Sequence, residues 1–205
     1  AIGFNSLVNC TASIQNTALG ASTLGSVTTG RNNTTLGYQT GNTLTAGSGN
    51  IIIGTSNAAG TYAPAFAITT QNNRVVMGST SVTNADMQVA WTAVSDERDK
   101  MNFEPIPHGI EFVNQLNPIA YHFKESRNSP IAHGPKRYGF KAQEVLALEG
   151  ESSVLVNNED VEHLRMTDTY FIPVLVNAIK DLSSKLNDES NKVVDLNIQL
   201  SDVKS

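Results

Sequence analysis

Gly3, Gly20, Gly37 and Gly54 stand seventeen residues apart, and Asn16, Asn33 and Asn50 keep the same period. A fixed period of this size indicates stacked coils, each too small to bury a core alone. The aligned segments read Asn16-Thr17-Ala18-Leu19-Gly20, Asn33-Thr34-Thr35-Leu36-Gly37 and Asn50-Ile51-Ile52-Ile53-Gly54, and Ala1-Ile2-Gly3 matches the tail of another copy. Starting in mid-pattern, the chain is expected to be a fragment of something longer. A short β-prone run followed by glycine and polar residues predicts one short strand and a tight turn per coil, with one apolar side chain inside. Two architectures fit: a single-chain β-solenoid, or three chains sharing one core. Each coil offers one or two large apolar residues, such as Leu19, Leu36 and Ile53. That is thin for a single-chain core, so the shared, trimeric arrangement is preferred.

The repeat over residues 1–60 resembles the Asn-Thr-Ala-Ile-Gly repeats of phage tail fibres and trimeric adhesin heads. Beyond residue 60 the period is lost. Ala65–Ile68 and Arg74–Gly78 read as strands around the turn Gln71-Asn72-Asn73, and Met87–Trp91 alternates like another strand. The charge pattern then changes. Residues 1–85 carry two charged side chains, Arg31 and Arg74, whereas residues 86–205 carry all nineteen Asp and Glu. The net charge of −5 gives no general attraction to nucleic acid or anionic membrane. No apolar run is long enough to span a bilayer. The single Cys10 excludes a disulfide within one chain. His108, His122, His133 and His163 sit at no metal-ligand spacing, so neither metal nor cofactor is expected.

The far end carries an a/d heptad seam. Ile172, Leu175, Ile179, Leu182, Leu186, Glu189, Val193, Leu196, Leu200 and Val203 alternate spacings of three and four, with one polar member. At 1.5 Å per residue such a helix is about 48 Å long, more than a small body can cover. A parallel homo-oligomer is the direct solution. Between seam and repeat, a helical run around Ile110–Leu116, a strand at Ala120–Lys124, a polar arm over 125–136, a strand at Arg137–Phe140, a short helix at Gln143–Leu148 and a strand at Ser153–Val156 describe a small α+β body.

The charge transition falls at Val94-Ser95-Asp96-Glu97-Arg98-Asp99-Lys100. A serine hydroxyl is a weak nucleophile until a base takes its proton, and a neutral lysine can be that base. Five positions apart, Ser95 and Lys100 lie about 140° apart on a helix and on opposite faces of a strand. They meet only if the chain turns between them or if they come from different subunits. A Ser…Lys pair alone is a weak motif, and a helix cap beside a solvated charged face accounts for the same residue types. A capping box is absent, since Arg98 stands at its third position.

Ser95-Asp96-Glu97-Arg98-Asp99-Lys100 is similar to the Ser-Asp-x-Arg-x-Lys signature of the S74 intramolecular chaperone auto-processing domain, found in phage endosialidase tailspikes, other tail fibres and the myelin regulatory factor. Asn117–Lys124, Tyr138–Val145 and Tyr170–Leu175 resemble further blocks of that family in the same order. The resemblance implies that Ser95 is the nucleophile, Lys100 the base and Val94–Ser95 the bond cut. It implies supporting roles for Asp96 and Arg98, and for Gln143 and Glu144 if they approach the dyad. It also implies a homotrimer, upstream fibre domains of the same chain, assembly in a host cytoplasm, a place in a virion and a host-cell surface receptor as partner. The expected fold class is α+β: a trimeric β-solenoid-like repeat (1–60), a β junction (61–94), an α+β chaperone body (95–170) and a trimeric coiled-coil helix (171–205). An uncleaved receptor-binding tip or a plain trimerisation domain are the alternatives, and both predict an intact chain.

Overall fold

Four three-residue strands, β1 (Thr17–Leu19), β2 (Thr34–Leu36), β3 (Ile51–Ile53) and β4 (Val75–Met77), stack in parallel in that order. These belong to a computed structural model that describes residues 1–150 and 153–204. The register follows the sequence period, with Thr17 beside Thr34 and Thr34 beside Ile51. Val75 pairs with Ile51 across a longer coil, so the stack continues past residue 60. The chain divides into two units: residues 1–90 with 122–135, and residues 91–121 with 136–205.

The first unit is a closed single-chain solenoid. Its core is Ala18, Leu24, Val27, Leu44, Ile52, Ile68 and Val76, all buried within one chain. This corrects the expected shared core, and the reason is which residues turn inward. Each strand buries its middle residue, and β1 and β2 expose both ends, so Leu19 and Leu36 face outward. The missing volume comes from the turns, where Leu24, Val27 and Leu44 point in. Leu24 does so from a left-handed backbone with φ 50°. That conformation costs roughly 1–2 kcal/mol for a residue with a Cβ. Full burial of the side chain, at about 1.5–3 kcal/mol, offsets it.

The periodic asparagines form a ladder. Asn16 Oδ1 accepts from Asn33 N at 2.9 Å and Asn33 Nδ2 at 3.1 Å. Asn33 Oδ1 accepts from Asn50 N and Asn50 Nδ2 at 3.0 Å each. Asn50 Oδ1 accepts from Arg74 N at 2.9 Å, 24 residues on rather than 17. Each amide also donates to a carbonyl of the next coil: Asn16 to Gly30, Asn33 to Gly47 and Asn50 to Gln71. Gly20 ends β1 for a steric reason, since a Cβ there (φ 134°) would stand 2.4 Å from the Gly37 carbonyl oxygen.

Two expected strands are absent. Ala65–Ile68 is a bend that sends Ile68 into the core and packs Phe66 against it. Met87–Trp91 is irregular and exposed, because no neighbouring strand satisfies its backbone. The polar arm is shorter than expected: β5 (Ile119–Lys124) and β6 (Ala132–Gly139) form a two-stranded sheet. Of the expected strand at 153–156 only its end forms, as β7 (Val156–Asn157) paired antiparallel with β8 (Arg165–Met166).

The second unit packs α1 (Ile110–Val113), α2 (Ala142–Glu149) and the start of α3 (Phe171–Lys204) around Phe112, Val145, Leu155, Val156, Phe171 and Val174. Phe140 stacks on Phe171 at 5.0 Å. Asp181 on α3 accepts the Ile110 amide at 3.0 Å, capping α1 from 71 positions away. Gly109 permits that approach, because a Cβ there would stand 1.9 Å from Asp181 Oδ2. Glu149 takes three backbone amides, Val154, Leu155 and Val156, at 2.7–3.0 Å. Glu149→Ala leaves them without that carboxylate. We expect a loss of about 2–3 kcal/mol, read as a lower urea midpoint for the body.

Candidate functional site: the Ser95–Lys100 junction

The junction residues 91–106 are exposed and, apart from one turn, without regular structure. That turn is a 3₁₀ segment, Glu97–Asp99, flanked by extended residues at Asp96 (ψ 137°) and Lys100 (ψ 155°). Asp99 N donates to Asp96 O at 3.1 Å and Lys100 N to Glu97 O at 3.0 Å, so the chain reverses within three residues. The turn has its own cap. Asp96 Oδ1 accepts Arg98 N at 2.9 Å, and its carboxylate takes Arg98 Nε at 3.0 Å and a terminal guanidinium nitrogen at 2.6 Å. The Arg98 guanidinium holds the Asp96 carboxyl below the usual carboxylate range, and Asp96 in turn raises Arg98. Because this pair is solvent-exposed, its value lies in geometry more than in stability.

The reversal carries Lys100 back to Ser95. Lys100 Nζ stands 2.7 Å from Ser95 Oγ, within one chain. With a charged amine, Nζ–H donates to Oγ. With a neutral amine the contact runs the other way, Oγ–H donating to Nζ, which is the arrangement that activates a serine. Val94, just before Ser95, is 83% exposed.

Of the expected site residues, the turn unites Ser95, Asp96, Arg98 and Lys100. Gln143 and Glu144 are placed elsewhere, in the first turn of α2. Glu144 binds Lys141 Nζ at 2.6 Å and Asn117 Nδ2 at 3.5 Å, and Lys141 lowers its carboxyl. Both bonds tie α2 to its own surroundings. Among the described residues no group of three His, Cys, Asp or Glu could hold a metal ion. No helix among them is long and apolar enough to cross a membrane.

The comparisons with known proteins bear on this stretch. Residues 95–154 match the family described as chaperone of endosialidase, Peptidase_S74, and the match begins at Ser95 itself. This segment matches an S74-type chaperone domain. No curated protein and no solved structure matches the chain. The S74-type domain therefore opens on the exposed serine–lysine turn and continues through α1, the β5–β6 sheet and α2.

Its continuation, α3, divides its faces between two tasks. Phe171, Val174 and Ala178 are buried, Asn177 Nδ2 donates to the His108 carbonyl at 2.9 Å, and Asp181 caps α1. One position on, about 100° around the helix, the heptad seam is exposed from Ile172 to Val203. Ser205, the last residue expected in this helix, lies outside the described residues.

Proposed function

We propose that residues 95–205 are an intramolecular chaperone that aligns three copies of the chain and then frees itself by cutting between Val94 and Ser95. The observation that carries this reading is the 2.7 Å approach of Lys100 Nζ to Ser95 Oγ at the first residue of the S74-type domain. The exposed seam of α3 supports association, since a two-faced helix of this length leaves one apolar face for neighbouring copies.

The chemistry balances within the chain. Ser95 Oγ attacks the Val94 carbonyl carbon while its proton passes to Lys100 Nζ. The Val94–Ser95 C–N bond breaks, and the proton returns to the departing nitrogen, which becomes the free amine of Ser95. Val94 is now an ester on Ser95 Oγ. Water hydrolyses that ester, leaving a Val94 carboxylate and a restored hydroxyl. Asp96 and Arg98 position the turn. Lysine becomes a base only when burial or a neighbouring cation removes its proton. The exposure of the junction in one chain leaves that burial to assembly, which ties the cut to completed alignment.

The biological logic is kinetic. A low-charge repeat can align in several registers of similar energy, so a coiled coil that sets register speeds correct pairing. Removing it afterwards closes the route back and makes the product kinetically stable. By analogy with the family's occurrence in phage tailspikes, the product is a virion fibre that meets a host surface.

The test is intact mass spectrometry of residues 1–205 beside Ser95→Ala. The unaltered chain is expected to give two pieces that meet at Val94–Ser95, and Ser95→Ala one whole chain. Two whole chains would overturn self-cleavage.

A further inference from the structure

The peptide from Met101 to His108 joins the Ser95–Lys100 turn to α1 and has no regular structure of its own. Among the described residues, one side chain alone bonds its backbone, Asn177 on α3. Asn177 Nδ2 donates to the Ile106 carbonyl at 3.3 Å and to the His108 carbonyl at 2.9 Å. One amide therefore pins two carbonyls that stand two residues apart. The pinned piece is stiff by composition. Pro105 and Pro107 have a fixed φ, and each confines the residue before it, Glu104 or Ile106, to extended backbone. Residues 104–107 are a strut laid on α3, where Pro105 and Ile106 line one groove with Ile172 and Val176. Between strut and turn only Met101, Asn102 and Phe103 remain, a link that spans at most about 10 Å. Asn102 bends it from a left-handed backbone, φ 56°, which asparagine tolerates.

We infer that Asn177 is a positioning residue for the cut: by pinning the strut to α3 it restricts where Lys100 can stand against Ser95. The inference rests on the reading that these two residues cut the chain. Lys100 is the last residue of the turn, so a restraint on the following peptide acts on it first. The turn's own bonds, from Asp96 to Arg98, stop short of Lys100 Nζ. Attack needs reacting atoms held about 3–3.5 Å apart, and a displacement of about 1 Å set far from the chemistry can cost about 100-fold. A plain brace between helices is the competing role. That brace already exists without Asn177, since Asp181 caps α1 and Lys185 binds Glu111. The bond to Ile106 lies upstream of α1 and holds nothing but the strut.

The experiment compares four full-length chains: unaltered, Asn177→Ala, a Gly-Ser-Gly insertion between Asn102 and Phe103, and both changes together. The half-life of the full-length band gives the rate of cutting. Light scattering and the urea midpoint, taken in a Ser95→Ala background, give association and stability. Each single change is expected to slow cutting about 10-fold or more, with association and midpoint close to the unaltered chain. The combination is expected to be no slower than the slower single, because both changes break one link. Cutting within twofold of the unaltered rate in Asn177→Ala or in the insertion overturns the inference and leaves the chaperone reading standing. So do single effects that multiply in the combination, or an Asn177→Ala chain that loses association or stability, since the amide then serves the body and not the turn. An unaltered chain that stays whole removes the cleavage reading, and the inference goes with it.

Discussion

A chain carrying Lys100→Arg is expected to stay whole at 22.0 kDa under conditions where the proposed mechanism has the unaltered chain cut itself. Arginine keeps the positive charge and can still reach Ser95 Oγ, but it does not give up its proton in proteins and so cannot act as a base. If Lys100 served only to hold the turn, the guanidinium would preserve much of the rate. If it takes the proton from Ser95, cleavage slows by about 10³-fold or more, near the upper part of what a positioned base contributes. The half-life of the full-length band on a denaturing gel separates the two. A rate within a few fold of the unaltered chain would remove Lys100 from the chemistry, whatever the 2.7 Å contact suggests.

The second large effect lies in the repeat. Asn33→Ala strikes the centre of the asparagine ladder. It removes the acceptor for Asn50 N and Asn50 Nδ2 and the donor to the Gly47 carbonyl. Asn33 is fully buried, so water reaches these groups poorly. Asn50 Nδ2 keeps the Gln71 carbonyl, and at roughly 1–3 kcal/mol for each of the two groups left orphaned, the coil loses about 2–6 kcal/mol. Exchange of the Asn50 amide with deuterium is expected to quicken by several orders of magnitude. Thr34→Ala, next in sequence but exposed, is expected to shift stability by no more than about 0.5 kcal/mol. Equal protection in both variants would show that the ladder contributes little.

The ladder also shows how much of the fold the sequence disclosed. The seventeen-residue period of Asn16, Asn33 and Asn50 named the hydrogen-bonded partners, because parallel coils place equivalent residues directly above one another. It did not disclose which side of each strand is inside. In a three-residue strand one apolar end residue carries no alternation to read, and Leu19 proved to face out while Ala18 faces in. Part of the core lay in the turns, at Leu24, Val27 and Leu44, where the left-handed Leu24 runs against local preference. The coil before Val75 escaped notice because it is longer than the period, although the ladder still closes at Arg74. At the junction, spacing left two ways for Ser95 to meet Lys100, a turn between them or different subunits, and the Asp96 cap that makes the turn was not legible. Gln143 and Glu144 stand in the family's sequence pattern, yet they sit in the body, where Glu144 holds Lys141 and Asn117.

The scarcity of charge also limits where a trypsin-like protease can cut the repeat. Between Ala1 and Val94 a trypsin-like protease finds only Arg31 and Arg74 to recognise. Arg31 N donates to Ser48 Oγ, and its carbonyl receives Gly49 N. Arg74 N is held by Asn50 and its carbonyl receives Ile51 N. Such an enzyme must draw an extended stretch of substrate into its cleft, and here that means prising one coil from the next. Digestibility is thus governed by the stacking itself, and the repeat is armoured by the same bonds that set its period.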